Sequence, residues 1–146
     1  MTGPTKKWLL AYAVAAVVFA GIDALWIITV ANNQYRSQIG DLLPASFNVL
    51  GAVLFYVIYV VGIVHYGVRP NDPGATLRSR VAGAALFGFF TYATWALTAF
   101  AILKDFPAVV AVTDILWGTA VCAAVTALTA VILRLHKTVA RGKQAG

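Results

Sequence analysis

The chain has no glutamate, five aspartates, one cysteine and one methionine, and only 11% of its 146 residues are charged. Soluble domains carry about a quarter charged residues, so a water-facing globule is the wrong frame for this sequence. With a single cysteine, Cys122, there is no intrachain disulfide and no thiol pair for redox or metal work. Also missing are a glycine-rich phosphate loop, a cluster of metal-ligating residues, a nucleophile with a base at hand, and any haem or flavin signature. No cofactor or metal is therefore expected. The absences weigh against an enzyme without deciding the question.

What is present is apolar: 61% of the residues are hydrophobic and the mean hydropathy is +0.83. The net charge of +6 would suit a nucleic-acid partner, but the basic residues flank apolar runs instead of lining a polar domain. Membrane topology accounts for them, and no nucleic acid is expected.

A stretch of roughly 20 apolar residues crosses the hydrocarbon as a helix, and four such stretches fall at about 8–31, 45–68, 81–103 and 108–133. The expected fold is all-α, a four-helix transmembrane bundle in a single domain over residues 1–146. The beginning, "TKKWLLAYAVAAVVFAG", has the basic start and apolar middle of a signal peptide. The run continues to Ala31, which is too long, so it reads as the first transmembrane helix. The segments "NNQYRSQIGDLLP", "RPNDPGATLRSR" and "KDFP" separate the spans. The last is so short that the third and fourth helices must form an antiparallel hairpin.

Lys6, Lys7, Arg69, Arg78, Arg80, Arg134, Lys137, Arg141 and Lys143 fall on one side of this arrangement, against Arg36 and Lys104 on the other. The positive-inside rule then puts both termini in the cytoplasm and makes this a multi-pass protein of the cytoplasmic membrane, in contact with lipids. In the first outer loop Tyr35, Ile39 and Leu42 recur at helical spacing. That segment is either a short helix on the outer interface or a plain loop with a tyrosine in the headgroup belt.

Two of the five aspartates lie inside apolar runs, Asp23 in "GIDALWIITV" and Asp114 in "VTDILWGTAV". An ionised aspartate at the centre of a spanning helix costs about 2.5–3.5 kcal/mol on insertion scales, so such a residue normally faces protein or water. Asp23 lies eight residues before the expected outer end of helix one, and Asp114 six residues after the expected outer start of helix four. Both would then sit roughly 9–12 Å deep. Thr91, Thr94 and Thr98 share one face of helix three at similar depth. The expected outer-half polar pocket gathers Asp23, Asp114, Thr94, Thr98 and Asn48, with Tyr56 and Tyr92 as its floor. Close carboxyls would hold a proton between them. That suits a proton-coupled carrier, an acid–base pair or a cation site, and equally a structural hydrogen bond clamping helices one and four.

Trp26 and Trp117 each follow their aspartate by three residues and so share its face. They read either as an aromatic wall able to stack on a flat or cationic ligand, or as interfacial belt and core packing respectively. The two D-x-L-W segments do not make an inverted repeat, because the axis would lie in the outer half and the intervening helices do not match. Ala84 with Gly88, and Gly118 with Cys122, are small pairs four apart that permit close helix contact. His65 reads as a snorkelling residue at the cytoplasmic interface, and His136 belongs to a basic tail that meets anionic headgroups.

The segments "DALW…YRSQIGDLL", "FYVIYVVGIVHYGVRP", "GAALFGFFTYATWALT" and "DILWGTAV" together resemble a bacterial family of small four-helix integral membrane proteins catalogued only as a domain of unknown function. The resemblance runs from about residue 20 to 125. It implies the fold and a membrane location, and brings no catalytic role. The family's helix three usually reads Tyr-x-Thr-Tyr-Asp-Leu-Thr-Asn, where this chain has Tyr92-Ala93-Thr94-Trp95-Ala96-Leu97-Thr98-Ala99. Ala96 and Ala99 thus replace an acid and an amide, which favours a binding or accessory role over chemistry.

Three functional expectations follow. The first is a membrane protein whose pocket binds a lipophilic or amphipathic small molecule through Asp23, Trp26, Asn48, Tyr56, Thr94, Thr98, Asp114 and Trp117. The second is an accessory subunit with a membrane-protein partner. The third is a proton-coupled carrier or enzyme using the Asp23/Asp114 pair.

Overall fold

The computed structural model describes residues 3–43, 46 and 48–135. Pro4 stands at the first position of α1 (Pro4–Trp26), where a missing backbone N–H leaves no bond unmade. The helix does not end at Ala31. It passes through one π-helical turn, Ile27–Ala31, into α2 (Asn32–Ile39) and a last 3-10 turn, Gly40–Leu42. The rod Pro4–Leu42 has 39 residues, about 58 Å at 1.5 Å per residue. The first outer segment is therefore helical, but as a continuation of α1 and not as a separate element. "NNQYRSQI" is polar, yet it contains neither glycine nor proline, and polarity alone does not stop a helix.

Asn48 caps α3 (Val49–Gly62), its side-chain oxygen accepting the Gly51 N–H at 3.0 Å. A second π-helical turn, Ile63–Val68, continues α3 to Arg69, whose φ of 42° is left-handed and breaks the helix ahead of Pro70. Thr76 caps α4 (Leu77–Ile102) by accepting the Ser79 N–H at 3.2 Å, and Pro107 leads into α5 (Ala108–Ile132). The fold is all-helical among the described residues, and four of its helices are long and apolar enough to cross a membrane. Position 45, the expected start of helix two, lies outside the described residues, as do His136, Lys137, Arg141 and Lys143.

The helices pack as lipid-embedded helices must. Hydrocarbon is as apolar as leucine, so little drives apolar side chains inward, and Val17, Ile28 and Ile102 are 75%, 72% and 74% exposed. Close approach of backbones drives association instead, and α4 and α5 are the most extensively packed pair. A Cβ on Gly88 would lie 2.1 Å from the Gly118 carbonyl oxygen, and one on Gly118 would lie 2.1 Å from the Tyr92 ring, so neither position admits a side chain. The buried core beside this contact mixes small and β-branched residues, among them Ala15, Ala84, Val60, Val64, Cys122 and Val125, with the rings of Phe19 and Tyr59.

Arg80 is only 2% exposed. Its Nε donates to the Ala75 carbonyl at 3.1 Å, Nη2 to Asp72 at 2.8 Å, and Nη1 to Arg69 at 2.6 Å and to Val68. A residue expected to flank the membrane is instead folded inward, pinning the 69–76 loop under the end of α3.

Candidate functional site

Asp23 is buried on α1, and its two carboxylate oxygens take hydrogen bonds from two other helices. The Tyr56 hydroxyl of α3 donates to Oδ2, and the Trp117 indole N–H of α5 donates to Oδ1 at 3.2 Å. Asp114, also buried, accepts the Tyr35 hydroxyl of α2 at 2.6 Å, while the Trp95 side chain approaches it from α4. Beside this bond Gln34 Nε2 donates to Thr113 Oγ1 at 3.1 Å, so two consecutive residues of α2 grip the first turns of α5. Short phenol–carboxylate bonds of this kind are stronger than neutral pairs.

Trp26 and Trp117 stack on each other, with ring centroids 4.2 Å apart and planes 7° from parallel. Their shared face with the aspartates brings the two D-x-L-W segments together at one point of the bundle. Below them Tyr59 bonds Thr91 at 2.8 Å and Cys122 at 3.3 Å, which extends the polar cluster one layer deeper.

The structure thus assembles Asp23, Trp26, Tyr56, Asp114 and Trp117, with Tyr92 packed on Tyr59 and over Gly118. It places the other three expected residues elsewhere. Asn48 is exposed and occupied with its capping bond. Thr94 and Thr98 are exposed, and the Thr94 hydroxyl donates to the Phe90 carbonyl of its own helix at 2.7 Å. The inward line of α4 runs through Ala84, Gly88, Tyr92, Ala96 and Ala99. Its small residues mark the helix contact, and the two threonines fall on the opposite side of the wheel.

Asp23 bonds Trp117, three residues further along α5 than Asp114, so the two acids are offset by about one helical turn, roughly 4.5 Å. Trp117 and the indole stack join the two levels. Tyr35, met in the sequence as a loop residue, becomes the partner of Asp114 because α1 continues past Ala31. The signal was there: no glycine or proline falls between Gly21 and Gly40.

A family model described as "Predicted membrane protein (DUF2177)" matches residues 8–131. The chain belongs to that family. The matched segment contains every residue of the cluster above, and the four membrane-capable helices agree with the family's description. No curated protein and no solved structure matches the chain. Ala96 and Ala99, where the resemblance implies an acid and an amide, are 0% and 2% exposed and pack with Phe106, Val110 and Ala111, with Tyr35 against them. A carboxylate at position 96 would therefore enter the interior close to Tyr35, where this member has only a methyl group.

Proposed function

We propose that this membrane protein binds a lipophilic or amphipathic small molecule at the Asp23–Asp114 cluster, in the outer half of the cytoplasmic membrane, with both termini inside. The observation that carries the reading is the company the carboxylates keep. Asp23 and Asp114 are 7% and 5% exposed, and their hydrogen-bond donors are phenols and an indole, all neutral. Buried charges are ordinarily matched by opposite charge. A ligand bringing a cation or hydrogen-bond donors would complete the site, with the Trp26–Trp117 pair offering an indole face. The π-helical turn Ile27–Ala31 begins next to Trp26. Such turns recur at functional sites because they leave backbone groups incompletely bonded.

Native mass spectrometry of the protein, drawn from its own membranes in mild detergent, tests the reading. A stoichiometric small-molecule adduct, lost in the Asp23→Asn, Asp114→Asn double variant, is the expected result. A bare chain mass from every preparation would sink it.

One observation favours a second reading. Each bond to the two acids joins different helices: α1 to α3, α1 to α5, and α2 to α5. In an accessory subunit the same bonds serve as an internal clamp, and extraction would bring out a fixed protein partner in place of a ligand. Proton-coupled transport, the third reading, requires pH-dependent flux in proteoliposomes.

A further inference from the structure

The end of the bundle opposite the α4–α5 turn holds a cavity of about 430 Å³ between the start of α1, the 69–76 loop and the end of α5. This volume falls within the range of small-ligand sites. Its walls carry Lys7 and Arg80, with Asp72 among the loop residues, beside the apolar side chains of Leu10 and Leu133. The guanidinium of Arg80 is almost fully buried, and its four hydrogen bonds all go to backbone carbonyls of residues 68–75, which are neutral. The acid of this loop, Asp72, is already committed: Oδ2 pairs with Arg69 at 3.3 Å and Oδ1 accepts the Gly74 N–H at 3.0 Å. Asn71, also on the wall, donates its side-chain N–H to the Pro4 carbonyl at 3.1 Å. Among the described residues Arg80 thus has only carbonyl dipoles as hydrogen-bond partners, and the nearby carboxylate of Asp72, though it attracts the guanidinium, is bonded to Arg69 and Gly74 instead.

We infer that this cavity is a binding site for the phosphate group of an anionic phospholipid, held between Lys7 and Arg80 with its first acyl carbons along Leu10 and Leu133. The location suits the occupant. Lys6, Arg78 and Arg134 lie at the same end of the helices, where the headgroup layer meets the bundle, and basic pockets between spanning helices take anionic headgroups. The mixed wall fits a lipid better than a free anion, because only a lipid has apolar surface to set against the two leucines. This site shares no residue with the Asp23–Asp114 cluster and stands or falls separately.

The test is lipid retention by the full chain in mild detergent, read by native mass spectrometry during titration with phosphatidylglycerol or with phosphatidylcholine of the same acyl chains. One phosphatidylglycerol per chain should be retained in preference to phosphatidylcholine. Lys7→Gln should weaken retention roughly five-fold, the worth of one lysine against an anionic headgroup. Lys6→Gln, a neighbour that does not line the cavity, should leave it unchanged. Because Arg80 also pins the loop, Lys7 and not Arg80 is the deciding variant. Equal retention of the two lipids, or equal weakening by both lysine variants, would overturn the site in favour of diffuse surface attraction. Displacement of the lipid by millimolar glycerol phosphate would overturn the lipid assignment in favour of a soluble phosphate.

Discussion

The indole of Trp117 lies face to face with that of Trp26, 4.2 Å between centroids, and the same ring donates its N–H to Asp23 at 3.2 Å. One side chain of α5 therefore holds α1 twice, by stacking and by a hydrogen bond. This contact joins the two D-x-L-W segments.

Trp117→Phe keeps an aromatic ring but removes the N–H, leaving Asp23 one donor short. The cost is about 1–2 kcal/mol for a buried acceptor left unmade, read as a lower thermal midpoint by circular dichroism in detergent. Trp117→Leu should cost about 1 kcal/mol more, since the stack goes as well. Identical melting of Trp117→Phe and the parent protein would show that the bond contributes nothing.

Tyr35 and Asp114 form a pair open to a double-mutant cycle. Tyr35→Phe and Asp114→Asn, singly and together, should show a coupling of about 0.5–1.7 kcal/mol, as measured for hydrogen bonds between membrane helices. The parallel cycle of Tyr35→Phe with Asp23→Asn should couple more weakly, because Tyr35 bonds only the other acid. A larger coupling to Asp23 would reverse the pairing described above.

Gly88 and Gly21 make a matched contrast. A Cβ at Gly88 meets the Gly118 carbonyl at 2.1 Å, whereas one at Gly21 meets nothing within 4 Å. Gly88→Ala should destabilise by about 2–3 kcal/mol through forced separation of α4 and α5. Gly21→Ala should be neutral or stabilise by up to about 1 kcal/mol, the helix-propensity difference between the two residues. Both values come from one set of unfolding curves in the same detergent.

Arg80→Gln leaves the loop carbonyls of Val68, Arg69, Asp72 and Ala75 with an amide too short and too poor in donors to serve all four. The 69–76 loop should loosen, and its backbone amides should exchange with deuterium several-fold faster than in the parent. Arg78→Gln, at an exposed neighbouring position, should leave exchange in the loop unchanged.

Much of this was legible in the sequence, and the reasons for the rest are specific. The four apolar runs and their separating turns announce the bundle, because in hydrocarbon only a helix can satisfy its own backbone. Asp23 and Asp114 announce themselves by being acids where acids are expensive. The small pairs Ala84/Gly88 and Gly118/Cys122 point to the α4–α5 contact, where all four residues are buried. Three features depart from the sequence pattern. Apolarity ends at Ala31, but no glycine or proline stops the helix there, and its backbone stays helical to Leu42. The facing of α4 was read from its threonines, when its alanines and glycines decide which side meets a neighbour. Arg80 was counted as a flanking charge, because its four acceptors are backbone carbonyls and leave no mark in the sequence.

Both π-helical turns, Ile27–Ala31 and Ile63–Val68, interrupt the first two rods of the bundle, and α4 and α5 contain none. The Gly88–Gly118 contact holds that second pair at close range. A π turn widens the helix by one residue and is a common place for a helix to bend. The bendable points of the bundle therefore lie on one side, in α1–α2 and α3. A bend at Ile27–Ala31 would turn Trp26 and Tyr35 relative to each other, and so play Asp23 against Asp114, while Trp117 stays with the closely held pair.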